Sequence, residues 1–247
     1  MGKKLKPLGA LLFKEWLKSR YVVLGGVVLW GVVLVLTVLL VQRALRLEGG
    51  LTVWTMVLFK DLNLVHLFKW LPLLVGVVLG SAQFVPELQQ HRLKLTLHLP
   101  LSDFRLLGTM LSYGYVFQLV LDLVVVSVTV GFLLVRFPRE IVWATLTSTV
   151  PWFAMGFGGY GVVAWLCVEP SLRRRVGCAL FAVVWLYVGY LSEGLQAYAG
   201  FGWVLVCWSL LVVPLLIFSA LVRFREGASR SAVSLWCPWM QKRHAEE

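Results

Sequence analysis

The sequence predicts an all-α membrane protein with six transmembrane helices, an N-terminal amphipathic elbow helix and both termini in the cytoplasm. The chain of 247 residues is strongly apolar: its mean hydropathy is +0.83 and only 14% of its residues are charged, against about 25% in a soluble domain. The apolar residues form long uncharged runs, and the cations concentrate in alternate connections between those runs. These three observations together predict the fold class.

Six apolar runs account for the predicted transmembrane helices. A bilayer core about 30 Å thick takes about 20 helical residues to cross. We predict spans over residues 21–42, 70–86, 106–135, 141–168, 176–192 and 203–222. The length of the runs and the lack of two-residue alternation within them exclude a transmembrane barrel. The first run is too long for a cleaved signal peptide, so we expect it to be retained.

The distribution of lysine and arginine predicts the orientation. Seventeen cations lie in residues 1–20, 87–105, 169–175 and 223–247, whereas six lie in the connections on the other face. The positive-inside rule places the first group in the cytoplasm, with residues 21–222 as the six-helix domain and 223–247 as a tail. The net charge of +11 then follows from loops that face anionic lipid headgroups, and it requires no nucleic-acid partner.

Residues 1–20 precede the first span and have the pattern of an amphipathic helix. Apolar residues recur there at helical spacing: Gly9, Leu12, Phe13, Trp16 and Leu17. The opposite face carries Lys14, Glu15 and Lys18. Such a helix suits the cytoplasmic interface of the membrane. A generic flanking anchor is the alternative interpretation.

The remaining connections and breaks predict smaller features. Residues 49–59 are too few to span a membrane, so we expect a short helix on the outer surface. Residues 193–203 are either a turn that dips back into the outer leaflet or the start of a tilted helix. Pro214 favours a kink in the sixth span. Small residues in the fourth span permit close helix packing: Gly156, Gly158, Gly159 and Gly161.

The sequence contains no pattern typical of an active site. It lacks a Gly-rich phosphate loop, an HExxH motif and a Gly-x-Ser-x-Gly motif. Its four histidines are scattered, and Cys167 and Cys178 have no histidine near them in sequence, which makes a metal site a weak hypothesis. We therefore expect a protein that is not an enzyme and that holds no metal or cofactor of its own.

Asp122 lies in the middle of the third run, where a carboxylate is costly and must face protein, a cavity or a partner. One interpretation is a proton or substrate contact. The other is a packing residue that is protonated or hydrogen-bonded, with Gln118 one turn before it as its partner. We treat this pair as a candidate intramembrane polar site.

The connection between the second and third spans carries a family resemblance. It reads FVPELQQHRLKLTLHLPLSDFRLLGTML. Together with the basic helix LLFKEWLKSR before the first span, it resembles the membrane subunit of ABC-2 type exporters. In that family an acidic residue follows the second span, a Leu-rich segment leads to a Leu-Pro-[Val/Leu]-Ser turn, and the third span begins x-x-Leu-Leu-Gly. Asp103 and Thr109 depart from the family, which often has a basic residue at these positions.

The resemblance implies that residues 87–105 contain a coupling helix for a cytoplasmic ATPase. The residues expected to contact that ATPase are Glu87, His91, Arg92, Lys94, Leu97, Leu99, Pro100, Leu101, Ser102 and Arg105. A second cytoplasmic contact is expected at Glu169, Arg173, Arg174 and Arg175.

Leucine occupies every odd position from 93 to 101, as in a half-buried strand. Pro100, however, disfavours helix at the residue before it, which indicates the end of one helix and a turn into the next.

The function implied by the resemblance is that of a permease subunit of an ABC-2 type transporter, an exporter, in a bacterial plasma membrane. ATP and Mg²⁺ would bind to a separate ATPase dimer, and a second permease subunit, identical or similar, would complete the substrate path. The alternative, from another class, is a membrane protein without transport activity that anchors or signals for a cytoplasmic partner.

Overall fold

The computed structural model describes residues 5–59, 63–89, 103–169, 171–192, 194, 196–198 and 200–223. In this part of the chain the regular structure is entirely helical, as predicted, and contains no strand. The helices, numbered in chain order, are α1 Leu5–Glu48, α2 Gly50–Phe59, α3 Leu71–Gln89, α4 Asp103–Leu134, α5 Arg139–Val168, α6 Leu172–Gly189 and α7 Gly202–Arg223. A 3₁₀ turn, His66–Phe68, precedes α3.

Five of these helices are long and apolar enough to cross a membrane: α1, α3, α4, α5 and α7. Helix α6 coincides with the predicted fifth run but falls outside this group. Three consecutive arginines occupy its first turn. The apolar part that remains, residues 176–189, is about 21 Å long at 1.5 Å per residue, which is shorter than a bilayer core of about 30 Å.

Helix α1 differs from the prediction because it has no boundary at residue 20. The segment expected to form a separate elbow, residues 1–20, is described from Leu5 onward and continues without a break into the first span. The sequence explains this continuity, since neither proline nor glycine occurs between Gly9 and Gly25. With 44 residues, α1 is about 66 Å long, roughly twice the thickness of a bilayer core.

The short helix expected in the connection after the first span is present as α2. Helix α1 ends at Glu48, and Gly49 follows with a φ of +77°. Glycine adopts this left-handed conformation without the steric penalty that a Cβ imposes, so it is suited to end a helix. Helix α2 packs back against α1, and its Val53 and Val57 belong to a buried cluster that also contains Val41 of α1 and Phe137, just before α5.

Helices α3 and α5 form the most extensive helix contact in the described part of the chain. A Cβ at Gly76 would overlap the carbonyl oxygen of Gly156, and a Cβ at Gly156 would lie 2.8 Å from the carbonyl oxygen of Pro72. One turn further along both helices, Gly80 approaches Tyr160. The two helices therefore run parallel, and the close packing expected of the small residues in the fourth run is confirmed.

Helix α4 runs antiparallel to α5. Gly114 of α4 faces Tyr160, whereas Gln118, one turn later, faces Gly156, one turn earlier. The tyrosine ring occupies the space that a side chain at position 114 would need. The C-terminal ends of α3 and α5 and the N-terminal end of α4 thus lie at the same end of the bundle.

Helix α7 contains a wide turn immediately before Pro214. Residues Trp208–Val212 form a π-helix within it. A proline ring in a regular helix clashes with the carbonyl group four residues earlier, here that of Leu210. The wider π turn relieves that clash and keeps the helix going. The kink predicted at Pro214 therefore takes the form of a π turn.

The connection between α6 and α7 is built from turns in the residues that are described. Tyr198 donates its hydroxyl hydrogen to the carbonyl oxygen of Val188 at 2.9 Å and accepts from the backbone N–H of Ser192 at 3.0 Å. The backbone N–H of Gln196 donates to the hydroxyl of Ser148 on α5 at 2.8 Å. Helix α7 begins only at Gly202, after this connection.

Candidate functional site

The first candidate site forms where the N-terminal part of α1 passes the C-terminal end of α3. Glu87 is only 1% exposed. Its Oε1 atom lies 2.9 Å from Nζ of Lys14 and also pairs with Nζ of Lys18. The same Lys18 nitrogen lies 2.9 Å from Oε1 of Glu15. We call Lys14, Glu15, Lys18 and Glu87 the first carboxylate cluster.

The first carboxylate cluster balances its own charge. Two ammonium groups face two carboxylates, and both carboxylates belong to residues that are 1% exposed. Lysine can reach such a site because its long apolar stem is buried while its ammonium group keeps access to water. Removing either acid would leave two partly buried ammonium groups with a single carboxylate, which is more costly than a lost surface pair. The cluster therefore works as an internal connection between α1 and α3.

Helix α4 joins the same region through a hydroxyl pair. The Ser19 and Tyr113 side-chain oxygens are 2.6 Å apart, and Ser19 also donates to the carbonyl oxygen of Glu15 at 2.9 Å. One turn before Glu87 on α3, a second polar contact links three helices. Gln83 donates to the carbonyl oxygen of Met110 on α4 at 2.8 Å.

Tyr160 of α5 completes that second contact. Its hydroxyl donates to Oε1 of Gln83 at 2.8 Å, and both side chains are fully buried. A buried amide whose donor and acceptor are both occupied fixes the relative positions of the helices that supply its partners. The end of α3 is consequently connected to α1, α4 and α5 by polar contacts within two helical turns.

The second candidate site lies where α5, α6 and α7 meet. Glu169 follows α5 directly and is fully buried. Its Oε2 atom accepts a hydrogen bond of 2.7 Å from Nη2 of Arg223, and its carbonyl oxygen accepts one of 2.6 Å from Nε of Arg175. The Ser171 hydroxyl lies 3.5 Å from Oε1. We call Glu169, Arg174, Arg175 and Arg223 the second carboxylate cluster.

The residues expected to couple to an ATPase are only partly within the described structure. Glu87 and Arg105 are described, and Arg105 is an exposed residue in the first turns of α4. The other eight lie outside the described residues: His91, Arg92, Lys94, Leu97, Leu99, Pro100, Leu101 and Ser102. The prediction of a turn between two helices, and not a strand, for residues 93–101 also falls outside them. In the second expected contact Arg173 and Arg174 are exposed, whereas Glu169 faces the interior.

Asp122 and Gln118 lie together in the middle of α4. Both are buried, and Nε2 of Gln118 is 3.5 Å from Oδ2 of Asp122 and 3.3 Å from the carbonyl oxygen of Pro72. Oδ1 of Asp122 and Oε1 of Gln118 have no hydrogen-bond partner in the part of the chain that the structure describes. The expected contact between the two side chains is therefore present. Both side chains face α3 and α5, and neither faces lipid.

The two acids have partners that the sequence does not reveal. Its amphipathic pattern predicts Lys14, Glu15 and Lys18 on the polar face of an interfacial helix. In the structure this charged face turns toward α3, while the apolar residues Phe13 and Trp16 are 62% and 44% exposed. The sequence does contain a signal for these ion pairs, because Glu15 lies among the cations on one helix face. An acid in that position indicates ion pairing within the protein as well as contact with lipid headgroups.

The described residues give no further site of a recognisable chemical class. No group of three or more His, Cys, Asp or Glu side chains in them is arranged to hold a metal ion. Cys167, Cys178 and Cys207 are free thiols.

Comparisons with known protein families, curated proteins and solved structures find no match to this chain.

Proposed function

We propose that this chain is a permease subunit of an ABC-2 type transporter in a bacterial plasma membrane. In this proposal α1, α3, α4, α5, α6 and α7 are six transmembrane helices, both termini lie in the cytoplasm, and a second permease subunit completes the path. A cytoplasmic ATPase dimer binds ATP and Mg²⁺ and hydrolyses the ATP. The direction of transport is export, as the resemblance implies.

The observation that carries the proposal is the first carboxylate cluster. Glu87 lies at the point where α3 leads into residues 88–102, the segment that resembles a coupling connection. There Glu87 is paired with Lys14 and Lys18 of α1. A protein that passes force from a cytoplasmic partner into its helices needs such a rigid junction next to the contact segment. A segment that only docked onto a partner would need exposed charges but no such buried junction between its helices.

The mechanism that follows is mechanical. ATP-driven closure of the ATPase dimer moves residues 88–102, and the movement reaches α1 and α3 together because Glu87 holds both. The contact of Gln83 with Tyr160 and Met110 extends it to α5 and α4. Helices that are joined in this way tilt as one body, which is how a small displacement at an effector site becomes a change of access in a membrane protein.

We propose that fewer of the four residues expected at the second cytoplasmic contact touch the ATPase directly. Glu169 is fully buried and already bonded to Arg223, so it holds α5 and α7 together and leaves direct contact with the ATPase to the exposed Arg173. Arg105, which is exposed at the start of α4, remains a candidate for direct contact with the ATPase.

Co-purification tests the function. The tagged chain is expressed in its native host, extracted in mild detergent and purified, and the associated proteins are identified by mass spectrometry with an ATP hydrolysis assay. We expect an ATPase subunit to be present in the wild type and to be reduced at least tenfold by Pro100→Ala or Arg105→Glu. The control is Arg136→Glu, an exposed arginine at the opposite end of α4.

Two results would contradict the proposal. One is a preparation that contains no nucleotide-binding subunit and hydrolyses no ATP. The other is an ATPase that is retained equally by the Pro100, Arg105 and Arg136 variants. Either result favours the membrane anchor without transport activity, whose partner would then be identified in the same preparation.

A further inference from the structure

An open pocket lies between the ends of α5, α6 and α7. Its volume is about 460 Å³. The residues that line it are Trp165, Glu169, Arg174, Gly177, Cys178 and Arg223. The pocket thus contains most of the second carboxylate cluster. It opens past Gly177, which is exposed and where a Cβ would meet no atom within 4 Å.

The pocket has more positive charge than its own acid can balance. The carboxylate and the carbonyl group of Glu169 are already used by Arg223 and Arg175. Arg174 is exposed and forms no ion pair or hydrogen bond with the described residues. Among the described residues, two guanidinium groups (Arg174 and Arg223) and one carboxylate (Glu169) line the pocket, a net charge of +1. Arg175, bonded to the Glu169 carbonyl group beside the pocket, adds one more positive charge to the cluster. An ion pair that served only to join helices would not need this excess of positive charge.

The unsatisfied buried groups in the pocket lining are donors. Nε of Arg223 and Nε1 of Trp165 are both buried without a hydrogen-bond partner in the part of the chain that the structure describes. A buried N–H that lacks an acceptor is destabilising, so such groups point to an acceptor supplied from beyond the described residues. Positive charge combined with unpaired donors fits an anion that carries several oxygen acceptors, as a phosphate group does.

The surface next to the pocket is apolar. Leu180, Phe181 and Val184 follow Gly177 on α6 by one to two turns and are 64%, 41% and 61% exposed. A ligand held at the arginines would therefore lie at the top of an apolar helix face. A soluble anion or an acidic peptide gains nothing from that face, whereas the acyl chains of a lipid would cover it.

We propose that this pocket binds the phosphate headgroup of an anionic phospholipid, whose acyl chains lie along the exposed face of α6. Arg174 and Arg223 hold the phosphate oxygens, and Trp165 donates to the headgroup. The inference rests on the membrane orientation in the proposed function, but not on the ATPase. Basic pockets between helices on the cytoplasmic side of a membrane are suited to such headgroups, and each arginine contributes about 1 kcal/mol.

The test measures lipid binding to the purified full-length chain. The protein is placed in nanodiscs of phosphatidylcholine with 0 to 40% phosphatidylglycerol, and retained lipid is counted by native mass spectrometry. We expect phosphatidylglycerol to be retained in preference to phosphatidylcholine. Arg174→Gln should weaken that preference about fivefold, the value that 1 kcal/mol represents. Gly177→Phe, which adds bulk at the opening and removes no charge, should weaken it at least as much.

Arg136→Gln is the matched control. It removes one exposed cation at the far end of the bundle and should leave the preference unchanged. Equal losses in the Arg174 and Arg136 variants would overturn the proposal, because the effect would then be one of overall charge. Equal retention of both lipids by the wild type would also overturn it. So would displacement of the bound lipid by millimolar inorganic phosphate, which would indicate a site for a soluble anion.

The ATPase assay separates this proposal from the proposed function. If Arg174→Gln abolishes co-purification of the ATPase but leaves lipid retention intact, the pocket belongs to the ATPase contact and the lipid proposal is wrong. If lipid retention falls and the ATPase remains bound, the lipid site is supported independently. Retention of phosphatidylglycerol in a preparation without any ATPase would leave the lipid site standing while the transporter proposal fails.

Discussion

Glu87 and Glu169 lie at the same end of two parallel helices, and their surroundings differ in the kind of cation and in the charge that remains. Glu87, near the end of α3, is paired with two lysines of one helix, and one of them, Lys18, also pairs with Glu15. Glu169, after the end of α5, is bonded to arginines from two other helices. The first cluster is neutral, whereas the second keeps a charge of +2.

The difference indicates how one end of a helical bundle divides its tasks. A neutral cluster has no charge left for a partner, so its effect is confined to holding helices together. A cluster with excess guanidinium groups holds helices together and still attracts an anion, because arginine offers five donors in a fixed plane and a single carboxylate uses only some of them. Four variants test this division, in order of decreasing effect.

The largest effect is expected from Gly76→Ala. Gly76 lies in the contact between α3 and α5, and that contact sets the distance between Glu87 and Glu169. A Cβ at Gly76 meets the backbone oxygen of Gly156, which cannot rotate away. We expect the free energy of unfolding in detergent to fall by about 3 kcal/mol. The control Gly31→Ala lies where a Cβ meets no neighbour. It should not lower stability, since alanine favours helix over glycine. Equal effects of the two variants would show that α3 and α5 are not closely packed.

Glu87→Gln is expected to have the next largest effect. It leaves the ammonium groups of Lys14 and Lys18 with one carboxylate between them. Breaking a buried ion pair costs roughly 3–5 kcal/mol. The two lysine side chains are 34% and 15% exposed and partly hydrated, so we expect a loss of about 2 kcal/mol in denaturant unfolding.

A double-mutant cycle sharpens the result for Glu87. Lys18→Met combined with Glu87→Gln should cost less than the sum of the two single variants, because each single variant removes the same ion pair. The control is Glu48→Gln at the exposed end of α1, where no change in stability is expected. Additive effects at positions 18 and 87 would mean that the first carboxylate cluster does not act as a unit.

Glu169→Gln should cost less than Glu87→Gln, about 1 kcal/mol. The bond from Arg175 goes to the backbone carbonyl of residue 169 and survives the change, and Arg223 is exposed enough to regain water. The same variant removes the one acid of the pocket. Retention of phosphatidylglycerol should therefore rise while stability falls, and a fall in both would contradict the assignment of excess positive charge to the second cluster.

Ser19→Ala is expected to have the smallest effect. It removes the hydrogen bond between Ser19 and Tyr113 that adds α4 to the first cluster, at a cost of about 0.5 to 1 kcal/mol. Ser112→Ala, in which an exposed hydroxyl bonds only within its own helix, is the control and should change stability by less. A larger loss at Ser112 would indicate that the junction of α1 with α4 depends on other contacts.

The sequence predicted most of the helices because their signals are local. Runs of apolar residues set the positions of α3, α4, α5 and α7 to within a few residues. The first span was predicted to end at residue 42, whereas α1 continues to Glu48 and ends where Gly49 takes a left-handed conformation that other residues avoid. The glycines of α5 predicted a close approach but not its partner, because the match of Gly76 with Gly156 depends on how two distant segments are placed.

The candidate sites were less predictable because they are built from residues far apart in the chain. Glu87 was identified from a motif, whereas its partners lie 69 and more residues earlier. Arg223 likewise meets Glu169 across 54 residues. The amphipathic pattern before the first span predicted a helix correctly, but periodicity alone does not say whether a charged face turns toward water or toward an acid.

The separation between Lys18 and Glu87 has a consequence for biosynthesis. The two lysines of α1 leave the ribosome 69 or more residues before the acid that neutralises them, which at 5–20 residues per second is roughly 3 to 15 s. During that interval Glu87 has not yet neutralised these lysines, and in the proposed topology their charge favours the cytoplasmic side of the membrane. Once α3 is present the charge becomes part of an internal ion pair, so under that proposal the same two side chains first direct insertion and then join α1 to α3.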